Sequence, residues 1–175
     1  MSLPPWHEEP ISKKHDRASF DCGEGALNDF LRHYARKSHQ TGGAKTFLAI
    51  DDKDGTTVLG FYSLSPASVE YARTPDIVKR GLGRYEVPGF RLARLAVATP
   101  FQGKGLGGQL LLTAGRRCLK AAAEVGGVVL VIDAKNESVA DWYAERGAVP
   151  LQDAPLTLLL PLATIAQALK AAGHE

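Results

Sequence analysis

The residues best suited to chemistry lie where an apolar run, Leu92-Ala93-Arg94-Leu95-Ala96-Val97-Ala98, gives way to Gln102-Gly103-Lys104-Gly105-Leu106-Gly107-Gly108, after which apolar residues resume at Leu110 and Leu111. Glycines let a backbone approach a ligand closely and adopt positive φ. The unpaired N–H groups of a helix start point into such a turn, and the helix dipole adds about half a positive charge. Together these features make a cradle for phosphate. Three motifs compete for the glycines. GxxxxGK[ST] is absent. GxGxxG occurs at Gly103, Gly105 and Gly108, but too little chain follows for a doubly wound sheet. Asp133 also stands well beyond the roughly 20 residues at which that motif places its acid. Q/R-x-x-G-x-G/A is present from Gln102 to Gly107.

Other kinds of site have little support. Cys22 and Cys118 stand far apart, and His7, His15, His33, His39 and His174 form no HxxxH or HExxH pattern, so no metal is expected. His33 and His39 sit in a polar, basic stretch and are expected to face solvent. Net charge is only +2, which does not by itself point to nucleic acid. Its distribution says more. Residues 71–94 hold six bases (Arg73, Lys79, Arg80, Arg84, Arg91, Arg94) against two acids, and Arg32, Arg36, Lys37 and Lys45 form a second basic cluster. Each is either a solvated face or a strip for a polyanion.

The elements that position these residues can be read from periodicity. The chain has 175 residues, 45% hydrophobic and 23% charged, as one globular domain spanning 1–175 would. No apolar run reaches the ~18 residues of a membrane span, and the N-terminus lacks a basic-then-apolar signal, so the default compartment is the cytoplasm. Residues 1–17 are an arm or an edge strand. Asp21 is expected to cap a helix whose one face is Leu27, Phe30, Leu31 and Tyr34 and whose outer face carries Asn28, Arg32, His33 and Arg36, ending at Gly42-Gly43. Strands are expected at 45–50 and 57–65 around an Asp54-Gly55 turn, at 90–98, at 128–133 and at 156–160. Residues 73–89 read as a loop with a helical turn. Helices are expected at 107–125, with Leu110, Leu111, Ala114, Cys118 and Ala121 or Ala122 inward, at 138–146, and at 162–172. The last is apolar along Leu162, Ile165, Ala166 and Leu169 and packs on its own domain, a twin subunit or a partner. The order implies an α/β (α+β) fold with a mixed sheet, helices on both faces, and a parallel pair formed by strands 90–98 and 128–133.

With these elements in place, Leu95-Ala96-Val97 followed by Gln102-Gly103-Lys104-Gly105-Leu106-Gly107 resembles the pyrophosphate motif of the GNAT superfamily of acetyl-CoA-dependent N-acetyltransferases. Four further blocks are similar to the GNAT toxins of bacterial type II toxin–antitoxin modules. They are Phe20-Asp21-Cys22-Gly23-Glu24 with Ala26-Leu27-Asn28-Asp29-Phe30-Leu31, Gly60-Phe61-Tyr62-Ser63-Leu64, Leu92-Ala93-Arg94-Leu95-Ala96-Val97, and Asp141-Trp142-Tyr143-Ala144-Glu145-Arg146-Gly147. The resemblance implies a sheet splayed between its two central parallel strands, acetyl-CoA as cofactor, and acetylation of the α-amino group of aminoacyl-tRNA, which blocks translation. It also implies a ribbon-helix-helix antitoxin and a homodimer. Ala148 stands where the family usually has Phe, implying looser packing beneath the thioester, and Trp142 replaces a more frequent Phe.

By the same resemblance, the backbone of Leu95, Ala96 and Val97 holds the pantetheine arm, with an N–H near Val97 as oxyanion donor, and residues 102–108 hold the pyrophosphate with Lys104 on a phosphate. Tyr143 is the expected general acid, because a phenol with pKa about 10 is protonated at neutral pH; packing without a proton role is the alternative. Asn136 either bonds the cofactor or belongs to a helix start. Arg36, Lys37, Arg80, Arg84, Arg91 and Arg94 are expected on tRNA phosphates, with an internal salt bridge the competing role for Arg94. No carboxylate is clearly placed as base; Glu70, Glu86 and Asp133 are the possibilities. The competing functions are acetylation of a small amine or a protein N-terminus, and a non-catalytic CoA-binding module.

Overall fold

The structure is a computed structural model that describes residues 2–79 and 86–173, so the predicted contacts of Arg80 and Arg84 lie outside the described residues. The chain packs as two compact units interleaved in sequence: Met1–Ser65 with Arg94–Leu111, and Pro66–Ala93 with Leu112–Glu175.

In the first unit, strand β1 (Trp6–Pro10) pairs antiparallel with β2 (Lys45–Asp51), and β2 with β3 (Val58–Val69), so the start of the chain is an edge strand. The end of strand β4 (Val87–Val97) lies beside β3, where the amide of Ala98 donates to the Leu59 carbonyl at 2.8 Å. Side chains alternate across a strand. Ala96 accordingly joins Phe30, Leu31 and Phe61 in one cluster, while Leu95 and Val97 pack with Leu106 and Leu110. The first group belongs to helix α1 and β3; the second includes the start of helix α4 (Leu106–Val125). This part of β4 is thus covered by helices on both faces.

The helix expected after Asp21 is two helices, α1 (Gly25–His33) and α2 (Ala35–Thr41). The joint is Tyr34, whose φ of −124° leaves the helical range, and Gly42 closes the second at φ +84°. The break turns Tyr34 outward, to 61% exposure, although its spacing matched the apolar stripe. Asp21 is not the cap. Glu24 occupies that place without a side-chain bond to the helix amides it would cap, and the Asp21 carboxylate instead accepts from the Gly23 amide at 2.9 Å and from Asn28 Nδ2 at 3.0 Å. Asn28, expected on the outer face, is buried, because its amide satisfies both Asp21 and the Cys22 N–H. His39 is half-buried rather than solvent-facing: its Nδ1 accepts from the Thr46 amide at 2.9 Å.

In the second unit the strand order is β4, β5 (Val129–Asp133), β7 (Thr157–Pro161), β6 (Val149–Pro150). β4 and β5 are parallel, as the crossover through α4 requires, and β7 is antiparallel to both β5 and β6. Residues 129–132 are fully buried, matching their apolar run. The two-residue β6 was not expected; it is too short to carry a period. Segment 73–89 holds the short helix α3 (Asp76–Lys79) and the first residues of β4. Helix α5 (Glu137–Ala144) follows β5, and helix α6 (Leu162–Ala171) ends the described chain. α6 packs on its own unit: a Cβ on Gly115 of α4 would come within 2.4 Å of Ile165. Leu162, Ile165 and Leu169 are its buried residues, while Ala166 is exposed.

Candidate active site

The phosphate cradle begins where β4 ends. The paired register with β5 runs from Gly89↔Val129 to Leu92↔Ile132, and β4 continues past it through residues 93–97. Because Ala98 N–H points to β3 and successive amides of an extended chain alternate sides, Val97 N–H points away from β3. The Val97 amide is thereby left as a donor for another extended group, while its carbonyl accepts from Gln102 at 2.9 Å.

A 3₁₀ turn (Thr99–Phe101) then leads to Gly103 at φ +76° and Gly105 at φ +86°, and α4 starts at Leu106. Both φ values lie in the region open to glycine. A Cβ added at Gly103, Gly105 or Gly108 would meet nothing within 4 Å, so the turn faces open space. Among the described residues, the amides of residues 103–108 donate no hydrogen bond; the first helical amide to do so is Gln109, to the Gly105 carbonyl at 3.2 Å. The amides of residues 103–108 are therefore left without an internal acceptor at the N-terminus of a 20-residue helix, whose dipole is positive there. Lys104 is half-buried and has no carboxylate partner among the described residues.

Gln102 has a different role from its neighbours. Its Nε2 donates to the Cys22 carbonyl at 2.8 Å and to the Val97 carbonyl at 2.9 Å, so both amide protons are used inside the protein. Thr99 acts in parallel, donating to the Asp21 carbonyl from its amide and its hydroxyl, each at 2.8 Å. Gln102 and Thr99 tie the glycine turn to the segment before α1. Thr99 was missed in the sequence, since no local pattern marks a bond to a residue 78 positions away.

In the second unit, α5 carries Asn136 and Tyr143. Asn136 is its N-cap, with Oδ1 accepting from the Val139 amide at 2.9 Å, so the helix-start reading holds for that oxygen and Nδ2 stays available. Tyr143 is 5% exposed, and its ring meets Trp142 edge-on at 5.0 Å. Its hydroxyl makes no hydrogen bond among the described residues. Burial pushes its pKa up to about 12, against a small opposing pull from Arg146, so it holds its proton at any physiological pH.

Two of the three carboxylates considered as bases are engaged, and the third, Glu70, is exposed. Asp133 pairs with Arg91 at 2.5 Å, and Glu86 accepts from the Ser68 hydroxyl at 3.0 Å. Of the predicted tRNA contacts, Arg91 is therefore in an ion pair. Arg94 is not: its guanidinium lies 3.8 Å from the centre of the Phe30 ring, and desolvation is the cause of its lowered pKa. Arg36 is half-buried and Lys37 exposed on α2. Among the described residues no cluster of three metal-ligating side chains occurs.

A strand freed of its neighbour, running into a glycine turn that opens a helix, is what the pyrophosphate motif leads one to expect, and residues 7–148 match the profile of the acetyltransferase (GNAT) family. The chain belongs to the GNAT acetyltransferase family. It is an N-acetyltransferase with acetyl-CoA as donor. It is similar to a tRNA-acetylating toxin of Mycobacterium tuberculosis, 37% identical over 150 residues that cover 86% of this chain and 88% of that one. The structure of AtaT complexed with acetyl-methionyl-tRNAfMet superposes with a TM-score of 0.86 at 27% identity, covering 94% of this chain and 99% of AtaT. A tyrosine-to-phenylalanine mutant of AtaT bound to the C-terminus of the antitoxin AtaR and acetyl-CoA gives a TM-score of 0.79 at 26% identity, covering 93% and 97%. The enzyme's own residues fit the donor: open space above Gly103, Gly105 and Gly108 suits a diphosphate, and residues 93–97 suit an extended amide-bearing arm.

Proposed function

We propose that this enzyme is a toxin that acetylates the α-amino group of aminoacyl-tRNA and so blocks translation. The observation that carries the reading is likeness to a tRNA-acetylating toxin along 86% of the chain. The partners of Asp133 and Glu86 agree with it. A lysine amine, pKa about 10.4, needs a base before it attacks, whereas an α-amine, pKa about 7.7–8.0, is already partly neutral near pH 7. An aminoacyl ester amine titrates lower still.

When bound, acetyl-CoA supplies the acetyl group as an activated thioester. The amides of residues 103–108 and Lys104 hold its phosphates, and Gln102 keeps their turn in place. The backbone of Leu95, Ala96 and Val97 orients the arm, with Val97 N–H as the donor to developing oxyanion charge. Asn136 Nδ2 is available to the arm. Tyr143 keeps a proton at Oη and gives it to the leaving group. Arg36, Lys37 and Arg94, with Arg80 and Arg84, meet phosphates of the acceptor stem, and Arg91 joins them by exchanging its carboxylate partner for phosphate. The protein acts in the cytoplasm as a single GNAT domain, dimerises, and is neutralised by a ribbon-helix-helix antitoxin. The support for an antitoxin is the AtaT complex with AtaR.

The decisive experiment incubates the purified protein with labelled acetyl-CoA and either charged or deacylated total tRNA. Label on charged tRNA alone is the expected result. Label on neither, with turnover of a simple amine, would transfer the protein to the small-amine acetyltransferases.

A further inference from the structure

Beside the end of β4, on the face that carries α1 and α2, the first unit has an open groove of about 640 Å³. Phe30, His33, Tyr34, Lys37 and Arg94 are among its lining. The groove combines three features. Tyr34 stands 61% exposed at the break between the helices, with the His33 ring edge-on at 6.5 Å. Lys37 and Arg94 have no carboxylate partner among the described residues, and the Arg94 guanidinium is stacked on Phe30 rather than spent in a salt bridge. The one acid in the lining, Asp29, is opposite His33 at 3.6 Å and leaves Lys37 and Arg94 uncompensated.

An exposed ring that shares a groove with two cations lacking carboxylate partners is poorly suited to an apolar partner, which would bury the charges, and well suited to a single-stranded nucleotide, whose base stacks and whose phosphate pairs. Arg94 immediately precedes Leu95, so the groove opens next to the strand segment assigned to the donor arm. We infer that Tyr34 is a stacking platform for an unpaired 3′-terminal base of the acceptor RNA, with Lys37 and Arg94 on the flanking phosphates. This inference rests on the aminoacyl-tRNA reading and assigns the acceptor end a place on it. It makes Tyr34 a determinant of RNA affinity with no part in the transfer of acetyl.

Steady-state acetylation of charged tRNA at saturating acetyl-CoA tests the assignment with Tyr34→Ala and Tyr34→Phe. Loss of one base–aromatic stack is expected to raise the KM for charged tRNA about tenfold in Tyr34→Ala. Tyr34→Phe, which keeps the ring, should restore wild-type values, and the KM for acetyl-CoA should not move in either. Lys37→Ala should raise the same KM and flatten its salt dependence, the sign of a lost phosphate contact. An unchanged tRNA KM in Tyr34→Ala overturns the platform while leaving the enzyme's function standing. Loss of antitoxin binding with intact catalysis would reassign the groove to a protein. Failure of the wild type to acetylate charged tRNA removes the functional reading and the platform with it.

Discussion

Tyr143 and Gln102 show how burial and bonding assign roles to single side chains. Burial that lifts the Tyr143 pKa to about 12 disfavours the phenolate, so the fold keeps the group an acid. Its effect on stability follows from the same shift: the contribution is complete below the unfolded value near 10 and is lost as pH rises toward 12. Catalysis should therefore show a rising limb set by the substrate amine, near or below pH 8, and no fall below about pH 10. Tyr143→Phe should keep that limb and lower kcat roughly 10²–10⁴-fold, with acetyl-CoA affinity intact; equal rates would leave Tyr143 a packing residue. Gln102 is a different case. Both its amide protons are committed to carbonyls of the protein, so its contribution to donor binding is positional. Gln102→Ala loses two hydrogen bonds, roughly 1–3 kcal/mol together. It should raise the KM for acetyl-CoA, and Gln102→Glu should be worse because a carboxylate then faces two carbonyls.

At the scale of elements, β1 is held to β2 by backbone pairing and by a charged cluster. His7 bonds Asp52 through Nδ1 and Glu9 through Nε2, and Glu9 also meets Lys14 at 2.8 Å and the buried His15 at 3.1 Å. Lys14 first and His7 second hold the Glu9 carboxyl at about 2, and Asp52 first and Glu9 second raise His7 above 6.5. Glu9's share of stability is present above its unfolded value of 4.5 and is lost as pH falls toward 2; His7's is present below 6.5 and is lost as pH climbs past its folded value. Amide exchange of β1 should accordingly be slowest between about pH 4.5 and 6.5, after correction for intrinsic rates, and Glu9→Gln should abolish the acid limb. Periodicity in residues 1–17 does not distinguish an arm from an edge strand, and no local pattern marks this cluster. Long periodic elements such as α4 and the buried β5 were legible, because their burial imposes a period or an unbroken apolar run. The α1–α2 break was not, because Tyr34 fits the helical spacing that the backbone abandons. Helical spacing puts Asn28 on the outer face, but it is buried because its partners, Asp21 and Cys22, belong to a loop that folds back. The glycine turn was legible because its chemistry is local. Its clamps to Asp21 and Cys22 were not, since they join residues about 80 positions apart.

For the molecule as a whole, the consequence of an open glycine turn is that ligand binding should add stability the free chain lacks. Among the described residues nothing lies within 4 Å of a Cβ built on Gly105, so a side chain there costs backbone strain at φ +86°, roughly 1–2 kcal/mol. That side chain would occupy the volume meant for phosphate. Coenzyme A at a hundred times its Kd should stabilise the wild type by about 2.7 kcal/mol. At about 2–4 °C per kcal/mol for a chain of this size, the midpoint of thermal unfolding should rise about 5–10 °C. Gly105→Val should melt somewhat lower than wild type and gain nothing from the same concentration. Pantetheine, which lacks the diphosphate, should shift the wild type far less than coenzyme A and should not distinguish the two proteins. If Gly105→Val is stabilised by coenzyme A as strongly as the wild type, the amides of the turn are not what grips the cofactor, and binding energy must come from the arm along residues 93–97.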